Sequence, residues 1–176
     1  MKEYFKGIGK VKFEGPKSKN PLAFKHYDAK QKVGKKTMAE HLRFSVVYWH
    51  TMKGGGTDPF GPVSVYDRPW EISTDPMEIA EDTMRAAFEF TGKLGAPFWA
   101  FHDRDIAPEG DTLQESNQRL DSIVKLAKSL QKDTGIKLLW GTSNCFSNGR
   151  FTHGAGTNPD PHVFAWAAAQ IKKAMD

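Results

Sequence analysis

Pro97-Phe98-Trp99-Ala100-Phe101-His102-Asp103-Arg104-Asp105 decides the fold, because an apolar run of strand length stops at a histidine and three charged residues. In folds built from repeated βα units, side chains at the C-terminal ends of parallel strands face the pocket. A titratable cluster placed there reads as chemistry more readily than as packing. An aspartate three residues after a histidine can hydrogen-bond one ring nitrogen, fix the tautomer and leave the other nitrogen free for proton transfer. His102 and Asp105 are therefore the candidate catalytic pair. The competing reading is a buried imidazole satisfied by a backbone group; the strand-end position and the neighbouring carboxylates favour function.

Two further stretches repeat the pattern. Arg43-Phe44-Ser45-Val46-Val47-Tyr48-Trp49-His50 and Ile136-Lys137-Leu138-Leu139-Trp140-Gly141-Thr142-Ser143-Asn144 each read as a strand that ends in aromatic or polar groups. Helical periods follow. Residues 75–94 carry Ile79, Met84, Ala87, Phe88 and Leu94 at helical spacing, with Asp75 as N-cap, Pro76 in the first turn and Gly95 as the stop. A second helix starts at Asp111 or Thr112 and runs to Gln131, with Leu113, Leu120, Ile123, Val124, Leu126, Ala127 and Leu130 on one broad face before Gly135. Asn158-Pro159-Asp160-Pro161 opens a third, whose stripe is Val163, Phe164, Trp166, Ala167 and Ile171. The order βαβαβα implies parallel strands joined by right-handed crossovers. Trp49 and Trp140, if they face the strand ends, form flat apolar walls suited to the C–H faces of a sugar, with His102 and Thr142 supplying directional hydrogen bonds.

The chain has 176 residues, enough for one domain with its own core, and its hydrophobic and charged fractions of 39% and 26% are those of a globular protein. No apolar stretch reaches the roughly 18 residues of a membrane span, and Met1-Lys2-Glu3-Tyr4 leads into no signal-like apolar region. A cytoplasmic location is expected. One cysteine, Cys145, cannot form an intrachain disulfide, and it reads as a small semi-buried residue, not a nucleophile. The net charge of +4 is uneven: eleven lysines against Glu3, Glu14 and Asp28 put +8 on residues 1–36 and leave −4 on residues 37–176. The division into a basic extension, 1–36, and an α/β domain, 37–176, follows from that asymmetry. The extension contains no arginine and precedes no nucleic-acid motif, so packing against the domain or a partner subunit is expected, with no nucleic acid bound.

The remaining loops are weak candidates. Lys53-Gly54-Gly55-Gly56-Thr57-Asp58-Pro59-Phe60-Gly61 lacks the spacing of a phosphate-binding loop and reads as a loop that presents Phe60. His153 and His162 stand nine residues apart without a carboxylate cluster, a poor metal-ligand set.

The chain resembles the N-terminal portion of xylose isomerases of the longer bacterial class. The resemblance rests on Tyr4-Phe5, on residues 20–27 (Asn-Pro-Leu-Ala-Phe-Lys-His-Tyr), on Gly56-Thr57-Asp58-Pro59-Phe60-Gly61, on Phe101-His102-Asp103-Arg104-Asp105, on Trp140-Gly141-Thr142-Ser143-Asn144 and on residues 153–170, in that order. It implies an incomplete (β/α)₈ TIM-type barrel of about three βα units with an N-terminal extension. It also implies interconversion of D-xylose and D-xylulose, and of D-glucose and D-fructose, with divalent cations (Mg, Mn or Co) as cofactors.

In that resemblance His102 matches the histidine that assists opening of the cyclic sugar, and Asp105 the aspartate that orients and polarises it. Trp49, Trp140 and Thr142 match positions lining the sugar pocket. Phe60 matches a loop phenylalanine that reaches into a neighbouring subunit, which implies a dimer or higher homo-oligomer. The metal ligands and a lysine near the sugar carbonyl belong to the second half of the barrel, so no metal ligand is expected here. The resemblance thus implies a chain that keeps the ring-opening part of the site, needs a complementary C-terminal fragment or self-association, and has weak or absent activity alone. The alternative is a noncatalytic sugar-binding or self-assembling interaction module of the same fold.

Overall fold

The computed structural model describes residues 2–56 and 67–176. The chain begins with an extended segment that carries a small antiparallel pair, β1 (Lys32–Val33) and β2 (Lys36–Thr37), closed by Gly34 at φ +62°. The one-turn helix α1 (Met38–His41) follows directly, started by a capping box between Thr37 and Glu40.

The centre is a three-stranded parallel sheet in the order β3 (Ser45–Val47), β4 (Phe98–His102), β5 (Lys137–Thr142). Trp99 pairs with Leu138 but Ala100 pairs with Trp140, so Leu139 is an extra residue that bulges β5 in the middle. The pairing then carries His102 opposite Thr142. Alternation along β4 divides its residues between two faces. Trp99 and Phe101 lie on the helix side, where Trp99 meets Phe88 edge-on and donates its indole N–H to Gln131. Phe98, Ala100 and His102 lie on the other. A side chain at Gly141 would approach the Phe101 ring to 3.2 Å, so glycine there lets the ring lie across β5.

The helices sit where the periodicity places them, because their ends are chosen by local chemistry. α3 (Pro76–Leu94) has Asp75 accepting from Met77 N and Glu78 N at its start, and Gly95, at φ +80°, at its end. α5 (Leu113–Thr134) is capped by Thr112, which accepts from Glu115 N, and it ends one turn later than the apolar pattern suggests, at Gly135 with φ +73°. Met84, Ala87 and Phe88 of α3 pack with Leu120, Ile123, Ala127 and Leu130 of α5, over Trp99 of the sheet. α6 (Pro161–Met175) begins at Asp160, which accepts from His162 N.

Two expectations need correction. The strand expected over 43–50 covers only Ser45–Val47; the backbone then turns into α2 (Tyr48–Thr51), so Trp49 and His50 stand on a helical turn that follows the strand. On α6 the buried positions are Ala167 and Gln170, while Phe164 and Ile171 of the expected stripe are exposed. Gln170 is turned inward by hydrogen bonds to Asp103 and to the Asn144 carbonyl, described below.

Residues 2–11 lie against α3. Glu89 accepts the backbone N–H groups of Tyr4 and Phe5 at 2.8 and 3.0 Å, Lys93 pairs with Glu3 and Glu89, and Val11 donates its N–H to the Lys93 carbonyl at 2.7 Å. Tyr4 and Phe5 also pack on Trp70, the former edge-on. No helix among the described residues is long and apolar enough to cross a membrane.

Candidate functional site

The C-terminal ends of the three strands bring His102, Asp105, Trp49, Trp140 and Thr142 to one end of the sheet. His102 is the last residue of β4 and the N-cap of the one-turn helix α4 (Asp103–Ile106). Because α4 turns at once, Asp105 comes back over its own start: its Oδ2 lies 2.7 Å from His102 Nδ1 and accepts the His102 backbone N–H at 3.1 Å. Both side chains are largely buried, at 13% and 12% exposed. A carboxylate at Nδ1 selects the tautomer with the proton on Nδ1, which leaves Nε2 as an acceptor. No other described residue hydrogen-bonds that imidazole.

Three aromatic rings surround the imidazole. Trp49 lies 4.5 Å from it between centroids, Trp140 5.8 Å and Phe146 5.3 Å, the last two edge-on, and the two indoles are 5.2 Å apart. Trp140 and Phe146 remain 47% and 66% exposed, so the ring faces are open on one side of the imidazole. Thr142 is held beside His102 by the strand register. Phe60 lies outside the described residues.

Four residues of this region are not singled out by the sequence. Phe146 follows β5 in a loop whose shape comes from Asn144: its Oδ1 accepts from Phe146 N and Ser147 N, and its Nδ2 donates to Ser147. Asp103 is 1% exposed and receives three N–H donors, from Arg104 N at 2.8 Å, Asn144 N at 2.7 Å and the Gln170 amide at 2.8 Å. Gln170, also buried, donates in addition to the Asn144 carbonyl at 3.1 Å. A glutamine spaced three residues from Ala167 on a helix face is the only signal in the sequence for this contact. Tyr48 lies beneath the pair; burial, then the charges of Asp105 and Glu71, push its hydroxyl above the usual phenol value, so it stays neutral. Burial and the nearby Asp103 charge likewise raise the Cys145 thiol, which argues against a nucleophile there.

Among the described residues, no group of three or more His, Cys, Asp or Glu side chains is placed to hold a metal ion. Asp103 and Asp105, the carboxylates nearest the imidazole, are both engaged by N–H donors. His153 and His162 are exposed and belong to no such group.

Known proteins resemble this chain over its whole length. It is 54% identical over 176 residues to a xylose isomerase of Thermoanaerobacterium saccharolyticum, covering 100% of this chain and 40% of that protein. It is 55% identical over 174 residues to a xylose isomerase of Thermoanaerobacter pseudethanolicus, of which it covers 40%. Against a xylose isomerase of Xanthomonas oryzae pv. oryzae the identity is 54% over 175 residues, with 39% of that protein covered. No protein-family model matches the chain. The chain is therefore a homologue of xylose isomerases, as its motifs suggest, and spans about 40% of the length of these curated relatives, consistent with an N-terminal portion.

Proposed function

We propose that this chain forms the part of an aldose–ketose isomerase site that binds a cyclic sugar and opens its ring, with D-xylose and D-glucose as substrates. The observation that carries this reading is the His102–Asp105 pair, whose one uncommitted ring nitrogen is walled by Trp49, Trp140 and Phe146. Pyranose rings present C–H faces that pack on indoles and hydroxyls that need directional partners, and the site offers both.

In this reading, the sugar's anomeric O1–H faces His102 Nε2. Nε2 takes the O1 proton while the C1–O1 bond becomes a carbonyl and the C1–O5 bond breaks, with its electron pair going to O5. The imidazolium then returns the proton to O5. Asp105 stabilises that imidazolium through Nδ1–H and keeps the ring in register, the task of a carboxylate that orients a histidine base. Thr142 supplies a hydroxyl beside the imidazole.

Similarity to xylose isomerases implies a divalent cation, yet the described residues do not fit one. Their nearest carboxylates are taken by N–H donors, and no three ligating side chains stand together. The hydride shift between C1 and C2 is accordingly assigned to groups other than those described. The sheet of β3, β4 and β5 is read as three successive strands of a (β/α)₈ barrel, with the same face of the sheet inward that carries Ala100 and His102. A homo-oligomer, or association with a complementary barrel portion, follows from that reading.

A second reading has one observation in its favour. Leu138, Leu139 and Trp140 on β5 and Phe164 and Ile171 on α6 are all exposed, which suits a noncatalytic module that binds sugar or another chain. Titrating the purified chain with D-xylose while following tryptophan fluorescence, and timing anomer interconversion in the same samples, separates the two. Saturable binding with accelerated interconversion supports ring opening; saturable binding without acceleration supports the module; no binding removes the sugar site.

A further inference from the structure

We propose that Asp103 is a positioning residue for the His102–Asp105 pair, a role that rests on the ring-opening reading above. Asp103 follows His102 directly and starts the turn that carries Asp105. Its buried carboxylate collects donors from three separate places: Arg104 N within that turn, Asn144 N in the loop after β5, and the Gln170 amide on α6. A carboxylate buried this deeply needs N–H donors in place of water, and here three take that place.

The contacts run in one direction through the site. Asp103 fixes Asn144, Asn144 Oδ1 fixes Phe146 N, and Phe146 sets its ring edge-on to His102 at 5.3 Å. Gln170 closes the loop by bonding Asp103 and the Asn144 carbonyl together. The turn that bends Asp105 onto His102 is thereby tied to the next βα unit. Without the tie, α4 has only its own single turn to hold the 2.7 Å contact, and isolated turns are weak. A displacement of about 1 Å at a reacting group is enough to lower rates by on the order of a hundredfold.

The test uses the purified chain and the rate of α- to β-D-xylopyranose interconversion, with sugar affinity measured alongside. Asp103→Asn keeps the shape but turns one acceptor into a donor facing the Gln170 amide; Gln170→Met removes the donor from α6 and leaves the backbone donors in place. Both are expected to lower the rate at saturating sugar by tenfold or more with affinity changed less than threefold, and to have no further effect when His102 is already Gln. Circular dichroism identifies a variant that fails to fold, in which case Gln170→Met decides. If His102→Gln slows interconversion but neither variant does, or if they slow it equally in the His102→Gln background, the positioning role is wrong while ring opening stands. If His102→Gln itself has no effect, the ring-opening reading fails and this role fails with it.

Discussion

His102 Nδ1 and Asp105 Oδ2 lie 2.7 Å apart because the chain passes from strand to helical turn between them. The same carboxylate oxygen also takes the His102 backbone N–H, so the first turn of α4 and the orientation of the imidazole are one structure. Replacing the carboxylate by an amide, which can donate to Nδ1 as readily as accept from it, should therefore disturb the tautomer more than the fold. Asp105→Asn is expected to slow sugar ring opening by on the order of a hundredfold or more, with the thermal midpoint falling by a few degrees. Polarimetry and calorimetry on the same preparation check it; an unchanged rate removes Asp105 from the mechanism.

Trp140 is half exposed and stands against both Trp49 and His102. Its ring faces sugar in the proposed site, so Trp140→Ala should weaken D-xylose binding by roughly tenfold, the worth of about 1–1.5 kcal/mol of aromatic contact. Because the side chain is not in the core, stability should change little. Titration calorimetry gives the affinity; an unchanged affinity together with a lowered thermal midpoint would make Trp140 a packing residue and reverse the assignment.

Chelation supplies a third check. No described group is placed to hold a metal ion, and the proton transfers assigned to His102 need none. Ring opening by this chain should proceed unchanged in excess EDTA. A rate that collapses on chelation and returns with Mg²⁺ would mean that a metal participates in the step assigned here to His102 alone.

How much of this was legible from sequence follows from the range of each interaction. The starts of α3, α5 and α6 and the end of α3 were readable because Asp75, Thr112, Asp160 and Gly95 act on backbone groups within four residues of themselves. His102 and Asp105 were readable for the same reason. Trp49 and Trp140 carry a signal as aromatic residues near strand ends, yet nothing local says that one stands on a helical turn and the other on a bulged strand. The contacts that join Asp103, Asn144 and Gln170 were not legible, because they span 41, 67 and 26 residues. On α6 hydropathy placed Ala167 correctly inside but not Phe164 or Ile171, and gave no sign that Gln170 is buried.

The attachment of the first residues to α3 makes a pH prediction. Burial alone would raise the Glu89 carboxyl, but hydrogen bonds from Tyr4 N, Lys93 and Phe5 N together outweigh it and hold Glu89 below its usual range. A carboxyl depressed in the folded state contributes stability that is complete above its unfolded value, about 4.3, and is lost as pH falls through the lower folded value. Thermal midpoints measured from pH 6 to pH 3 should fall more steeply for the native chain than for Glu89→Gln. Parallel curves would mean that Glu89 does not govern the docking of this segment.

The most direct measurement of the central claim is the polarimetric rate at which the purified chain converts α-D-xylopyranose towards its anomeric equilibrium, compared with His102→Gln. The uncommitted Nε2 predicts catalysis above the buffer rate by the native chain and a fall of a hundredfold or more in that catalysed rate on substitution. Equal catalysis by both proteins would contradict it, and the histidine would then be a structural residue of the strand end.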